Sequence, residues 1–138
     1  MAKVIVLTEN DHSRLSKVLD ENSSFGDEKA GQCIRELNSD LTHAKIVEAS
    51  DIPSDTVTMN SKVVIRDLDS NDDEEWVLCF PNNADIYENR LSVLAPMGVA
   101  MLGSKTGDDI EWETPRGKAR ARIEKISYQP ESAGDLHL

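Results

Sequence analysis

Hydrophobic positions along the chain change their period once, near residue 50. Val4, Ile5, Val6 and Leu7 form a short strand-like start. Thr8 then offers a helix N-cap, and Asp11, three residues on, suits the first turn both by bonding back and by the helix dipole. Leu15, Val18 and Leu19 share one helical face, and Asn22-Ser23-Ser24 with Gly26 makes a turn around Phe25. A second helix is expected from about Asp27 to about Glu48, because Ala30, Ile34, Leu37, Leu41 and Ala44 alternate spacings of four and three. Two amphipathic helices joined by a short turn read as an antiparallel hairpin. Its arms are expected to be unequal, about 13 residues against about 22, or roughly 20 Å against 33 Å.

Beyond Ser50 the pattern alternates. Asp51-Ile52-Pro53-Ser54-Asp55 reads as a linker, since Pro53 disfavours helix in the residue before it. Strands are expected over Lys62 to Leu68, Glu75 to Phe80, Arg90 to Leu94, Asp109 to Glu113 and Lys118 to Tyr128. Gly107-Asp108 and Pro115-Arg116-Gly117 supply turns. Between Leu94 and Gly103, a proline near the start and a glycine just past the end predict a short helix lying on the sheet. The class is therefore α+β: a hairpin over residues 1–50 and an antiparallel sheet with one short helix over 51–138.

The 138 residues carry 15 Lys and Arg against 26 Asp and Glu, a net charge of −11. That excess argues against nucleic acid as the main partner, whose affinity comes mostly from neutralising phosphates. No apolar run is long enough for a membrane span, and Val4 to Leu7 is too short for a signal peptide. A cytoplasmic protein is expected. Cys33 and Cys79 form no disulfide framework or metal-ligand cluster and read as small core residues.

Several near-motifs fail on inspection. Gly98 to Thr106 almost spells a phosphate-binding loop, but Lys105 comes one place late and the four residues between the glycines are apolar, as in a buried helix and turn. Asp67 to Asp73 begins like a calcium loop, yet Asp72 and Leu78 stand where a glycine and a bidentate glutamate belong. A solvated acidic hairpin loop fits better. His12, His43 and His137 share no short spacing, and no nucleophile elbow is present. No enzyme, metal or cofactor is expected.

Three features remain as candidates. Asp20-Glu21 and Asp27-Glu28 flank the hairpin tip and bring up to four carboxylates to its end. They could support Mg²⁺, although helix dipoles and an exposed turn already explain them. Arg116, Lys118, Arg120 and Arg122 recur every second residue, facing either an acidic partner or Asp109, Glu111 and Glu113 across a hairpin. Ser92 to Gly98 is more apolar than a loop requires, so Pro96 and Met97 either form a contact patch or Met97 plugs the core.

Four stretches, Asp55 to Ser61, Leu91 to Gly98, Gly107 to Trp112 and Tyr128 to Asp135, together resemble the Rnk-type regulators of the GreA/GreB class of transcription elongation factors. The resemblance implies a coiled-coil hairpin, an FKBP-like C-terminal domain and binding to RNA polymerase at the rim of its secondary channel. In Gre factors a Ser-Pro pair before a short apolar helix docks on the polymerase. Here the pair is Ala95-Pro96, so Ala95, Pro96, Met97 and Gly98 are the candidate polymerase contacts and Ala95 departs from the pattern. The tip acids Asp20, Glu21, Asp27 and Glu28 do not align with the Gre tip motif, and the short arm implies a tip that stops before the catalytic centre. The reading is a monomeric, non-enzymatic regulator that competes with Gre-type factors at the channel entrance. Its alternatives are a true cleavage-stimulating factor and, less favoured, an FKBP-like prolyl isomerase.

Overall fold

The computed structural model describes residues 5–22 and 28–134. Strand β1 (Val6–Leu7) leads into helix α1 (Glu9–Asn22), which is followed by α2 (Glu28–Thr42) and β2 (Lys45–Ile46). Thr8 caps α1 as expected, its Oγ1 accepting the Asp11 amide at 3.1 Å. Leu15 and Leu19 are buried with Leu37 and Leu41 of α2, as the apolar spacing predicts. His12 adds a link that its sequence context gave no sign of, its Nε2 lying 3.0 Å from the Leu41 carbonyl.

The expected extension of α2 to Glu48 does not occur. Thr42 Oγ1 donates to the Asn38 carbonyl and His43 Nδ1 to that of Ser39, side chains serving the last helical turn. The chain then turns so that β2 pairs in parallel with β1, the Lys45 and Val47 amides donating to Ile5 and Leu7 at 2.8 and 2.9 Å. Parallel neighbours need a crossover connection, and the helical hairpin itself is that crossover. The arms are consequently almost equal, 14 and 15 residues, or about 21 and 22 Å. Periodicity carried the α2 prediction too far because Ala44 also packs against the core, from outside the helix.

The second half contains β3 (Lys62–Asp67), β4 (Asp73–Cys79), β5 (Arg90–Ser92), helix α3 (Pro96–Met101), β6 (Asp109–Thr114), β7 (Gly117–Tyr128) and a final helical turn, α4 (Pro130–Ala133). Five strands form one sheet in the order β5-β4-β3-β7-β6. Every neighbouring pair is antiparallel except β4 and β5, which corrects the expected all-antiparallel sheet. After β4 the chain makes two 3₁₀ turns, Pro81–Asn83 and Ile86–Glu88, and comes back to run in the same direction. Alternation reveals which residues share a face but not the direction of the neighbouring strand.

A continuous core joins the halves. Ile5 and Leu7 of the hairpin base meet Val57, Met59 and Leu102, and the same cluster extends to Val63, Ile65, Leu78, Ile110 and Ile123 on one sheet face. Gly103 has φ +80° and lies so close to Ile5 that a Cβ would sit 2.2 Å from Ile5 Cγ2, so the base of the hairpin is seated directly on the turn after α3. The region read as a linker is also fixed. Gln129, 4% exposed, donates from Nε2 to the carbonyls of Pro53 and Thr56 at 2.8 and 2.7 Å. Thr58 Oγ1 donates to Glu131, and Ser61 Oγ accepts the Thr58 amide at 3.0 Å. Two of the four stretches behind the family resemblance are thus tied to each other.

Asp11 departs from its expected role. It is 2% exposed and accepts from Arg14, whose guanidinium lies 4.8 Å over the Phe80 ring. Burial pushes its carboxyl up despite Arg14, and burial likewise pushes up Glu131, with the Asp11 charge adding to the effect. Both groups bind protons more readily in the folded chain than in the unfolded one. Their contribution to stability is therefore complete below the ordinary carboxylate range, roughly pH 4, and is lost as pH rises through their raised folded values. Thermal melts of the wild type should show this loss as pH rises above the ordinary carboxylate range. Asp11→Asn should flatten the slope, and an unchanged slope would contradict the assignment.

Candidate functional site

The stretch from Ser92 to Gly98 is built where β5 gives way to α3. Ser92 Oγ accepts the Leu94 amide at 3.1 Å, the Ser92 carbonyl accepts the Ala95 amide at 3.0 Å, and the Ala95 carbonyl accepts the Val99 amide at 2.9 Å. These bonds place Ala95 in extended backbone at the N-cap and Pro96 at the first helical position, where the missing proline N–H costs nothing. Pro96 is exposed, whereas Met97 is half-buried against the core. Pro96 thus stands at the surface, and Met97 packs beneath it against the core.

Gly98 is needed because α3 crosses the end of β5 at backbone contact. A Cβ there would lie 2.1 Å from the Ser92 carbonyl oxygen and 3.0 Å from Val93 Cα. Ala95, by contrast, makes no side-chain cap. Its backbone already has N-cap geometry, so Ala95→Ser should raise stability by about 1 kcal/mol. A urea titration checks this, and an unchanged midpoint would mean that the hydroxyl finds no amide.

Beside this stretch a groove of about 720 Å³ lies among α2, α3 and β6. Pro96, Val99, Ala100, Ile110 and Trp112 give it apolar walls, and Glu36 and Glu113 contribute charge. The phosphate-loop reading fails as expected: Gly98, Val99 and Met101 are buried helix. The calcium-loop reading fails as well, because Asp67 Oδ1 accepts the amides of Asp69 and Ser70 in a self-capped hairpin turn.

The cationic strand resolves as cross-strand pairing. Asp109 lies opposite Arg122, Glu111 opposite Arg120 and Glu113 opposite Lys118. Arg122 reaches Asp109 at 2.8 Å, Lys118 reaches Glu111 at 3.9 Å, and Arg120 turns to Asp69 at 3.5 Å. Arg116 falls in the turn instead of the strand.

At the other end, Asp20 and Glu21 close α1 and are exposed, Glu21 lying 4.0 Å from Lys17. Glu28 begins α2, and Asp27 lies outside the described residues. Among the described residues no three His, Cys, Asp or Glu side chains stand together as a metal site. Cys33 and Cys79 are buried thiols, as expected. Among the described residues, no helix is long and apolar enough to cross a membrane.

Residues 52–128 match the family described as "Transcription elongation factor, GreA/GreB, C-term". The chain belongs to the GreA/GreB family. It is 35% identical over 135 residues to the regulator of nucleoside diphosphate kinase of Escherichia coli K12, covering 97% of this chain and 96% of that protein. It is 31% identical over 110 residues to transcription elongation factor GreA of Clostridium acetobutylicum, covering 76% and 70%. A solved GreA/GreB elongation factor from Nitrosomonas europaea superposes with a TM-score of 0.76 at 35% identity, over 91% of this chain and 99% of that one. The α+β arrangement is thus that of GreA/GreB-family proteins, and this member is a transcription-related factor. Pro96 and the α3 N-terminus lie within the matched family region, whereas Asp20, Glu21 and Glu28 precede it.

Proposed function

We propose that this chain is a cytoplasmic, non-enzymatic regulator that binds RNA polymerase at the rim of the secondary channel. Residues 95–98 are its anchor and residues 1–50 its channel-facing module. It acts as a monomer and competes there with Gre-type factors without stimulating transcript cleavage. The observation that carries this reading is the exposed Pro96 on a rigid turn, held by Gly98 and Ser92, inside the region matching the GreA/GreB C-terminal family. The hairpin arms of about 21 and 22 Å support the non-cleaving form, because both are short. The near end-to-end similarity to a protein named as a regulator supports it too.

The isomerase alternative finds little support. Among the described aromatic residues, Trp112 alone lines the groove beside α3, while Phe80 is stacked under Arg14 and Tyr87 is almost fully exposed. Binding to purified core polymerase, compared between wild type and Pro96→Arg, tests the anchor. Loss of binding in a variant that melts like wild type is expected. Equal binding by both proteins would remove residues 95–98 from the interface.

A further inference from the structure

Strand β6 ends the sheet order β5-β4-β3-β7-β6 and has a neighbour, β7, on one side only. An end strand carries a row of backbone groups that another strand can use. The Ile123 amide donates to the Asp108 carbonyl at 2.9 Å, and the pairing of β6 with β7 continues from there without a shift. Bonding to β7 therefore falls to alternate residues, Ile110 and Trp112, while Asp109, Glu111 and Glu113 turn their N–H and C=O groups outward. Among the described residues no strand or bridge pairs with that side.

The groove beside α3 follows this edge. Every residue from Asp109 to Glu113 lines it. Successive side chains of a strand point to opposite faces, so a hollow that meets all of them runs along the edge itself. Half-buried Trp112 joins Val99 and Pro96 as its apolar wall. The charge around it has one sign: six acids line it against one cation, Lys118, which lies 3.9 Å from Glu111. A second copy of this chain does not suit the edge. Two β6 strands meeting antiparallel would set Asp109, Glu111 and Glu113 against their own counterparts, and like charges directly opposite are destabilising. An extended segment with cations at every second position meets the same acids favourably, and the apolar residues between its cations fall on the groove wall. We propose that β6 and its groove form a docking site for a cationic, extended protein segment, which adds to the sheet as a further strand. The site adjoins Pro96 but does not rest on the polymerase reading, and it is tested without polymerase.

The probe is a peptide of alternating lysine and valine, six residues long like β6, titrated into the full chain. Two further peptides carry N-methyl groups, one on its lysine amides and the other on its valine amides, so that charge is kept while alternate donors are lost. Only alternate amides of an added strand face the edge. The expected result is saturable binding that is weakened about tenfold in one methylated peptide and unchanged in the other. Hydrogen exchange at the Asp109, Glu111 and Glu113 amides should slow on binding, whereas Ile110 and Trp112, already bonded to β7, should not change. Glu111→Gln/Glu113→Gln should weaken binding, and Asp72→Asn/Glu88→Gln, which alters exposed acids away from the groove, should not. Equal binding by all three peptides would reduce the effect to charge attraction and overturn the site. So would the absence of binding, or dimerisation of the chain through β6.

Discussion

Gly98→Ala should cost about 2–4 kcal/mol of folding stability, more than an ordinary glycine-to-alanine change in a helix, which favours alanine. The added methyl would sit 2.1 Å from a carbonyl oxygen, with Ser92 C and Val93 Cα each at 3.0 Å. All three are backbone atoms of β5 or the residue just after it, so no side chain can swing aside. Either α3 lifts from β5, exposing Val99 and Met101, or β5 shifts in register along β4. Both routes move Pro96. Urea unfolding reads the stability loss, and polymerase binding should fall with it under conditions where the variant remains folded. A wild-type midpoint would mean that α3 can slide without cost, and the turn would then not be the rigid platform described above.

The second large effect is expected at Gln129. Leucine there keeps similar bulk but takes the Gln129 amide from both carbonyls, leaving Pro53 with the Thr56 amide at 3.1 Å and Thr56 without its donor. At about 1–3 kcal/mol for a buried orphan, Gln129→Leu should destabilise by about that amount. The damage should also be local. Hydrogen exchange should accelerate first across 56–61, where Thr58 and Ser61 depend on the same junction. Uniform acceleration across the whole sheet, or no change in stability, would contradict the clamp. Tolerance of leucine would mean that water replaces the lost amide.

How much of this was legible in the sequence depended on how local the cause was. All five strands of the main sheet and α3 followed from alternation, a proline and two glycines, because those signals act within a few residues. The pairing of Asp109, Glu111 and Glu113 with the cationic strand was legible for the same reason: a two-residue period on both sides of a turn brings opposite charges together. The direction of β5 was not, since it depends on a left-handed Asn89 (φ 55°) and on the Asp85–Arg90 bridge. Nor was the end of α2, which is set by the pairing of β2 with a strand almost forty residues earlier. The Gln129 clamp spans 73 residues to Thr56, and its only sequence trace was the paired resemblance of the stretches at its two ends. Between Ser92 and Gly98 the residue types could be read, but whether Pro96 faces solvent required the crossing of α3 over Ser92. The burial of Asp11 was hidden because its place in the first helical turn already had a sufficient explanation.

Competition on the polymerase tests the central claim most directly. RNA polymerase in a stalled elongation complex is loaded with a labelled Gre-type factor and titrated with this protein. Displacement and transcript length are then followed in the same complexes. Displacement with transcripts left intact is the expected result, and Pro96→Arg should abolish it. Displacement accompanied by shortening of the RNA, lost in Asp20→Asn/Glu21→Gln, would show that a hairpin of about 21 Å reaches the catalytic centre and would contradict the non-cleaving reading. No displacement at saturating protein would contradict binding at the channel entrance altogether.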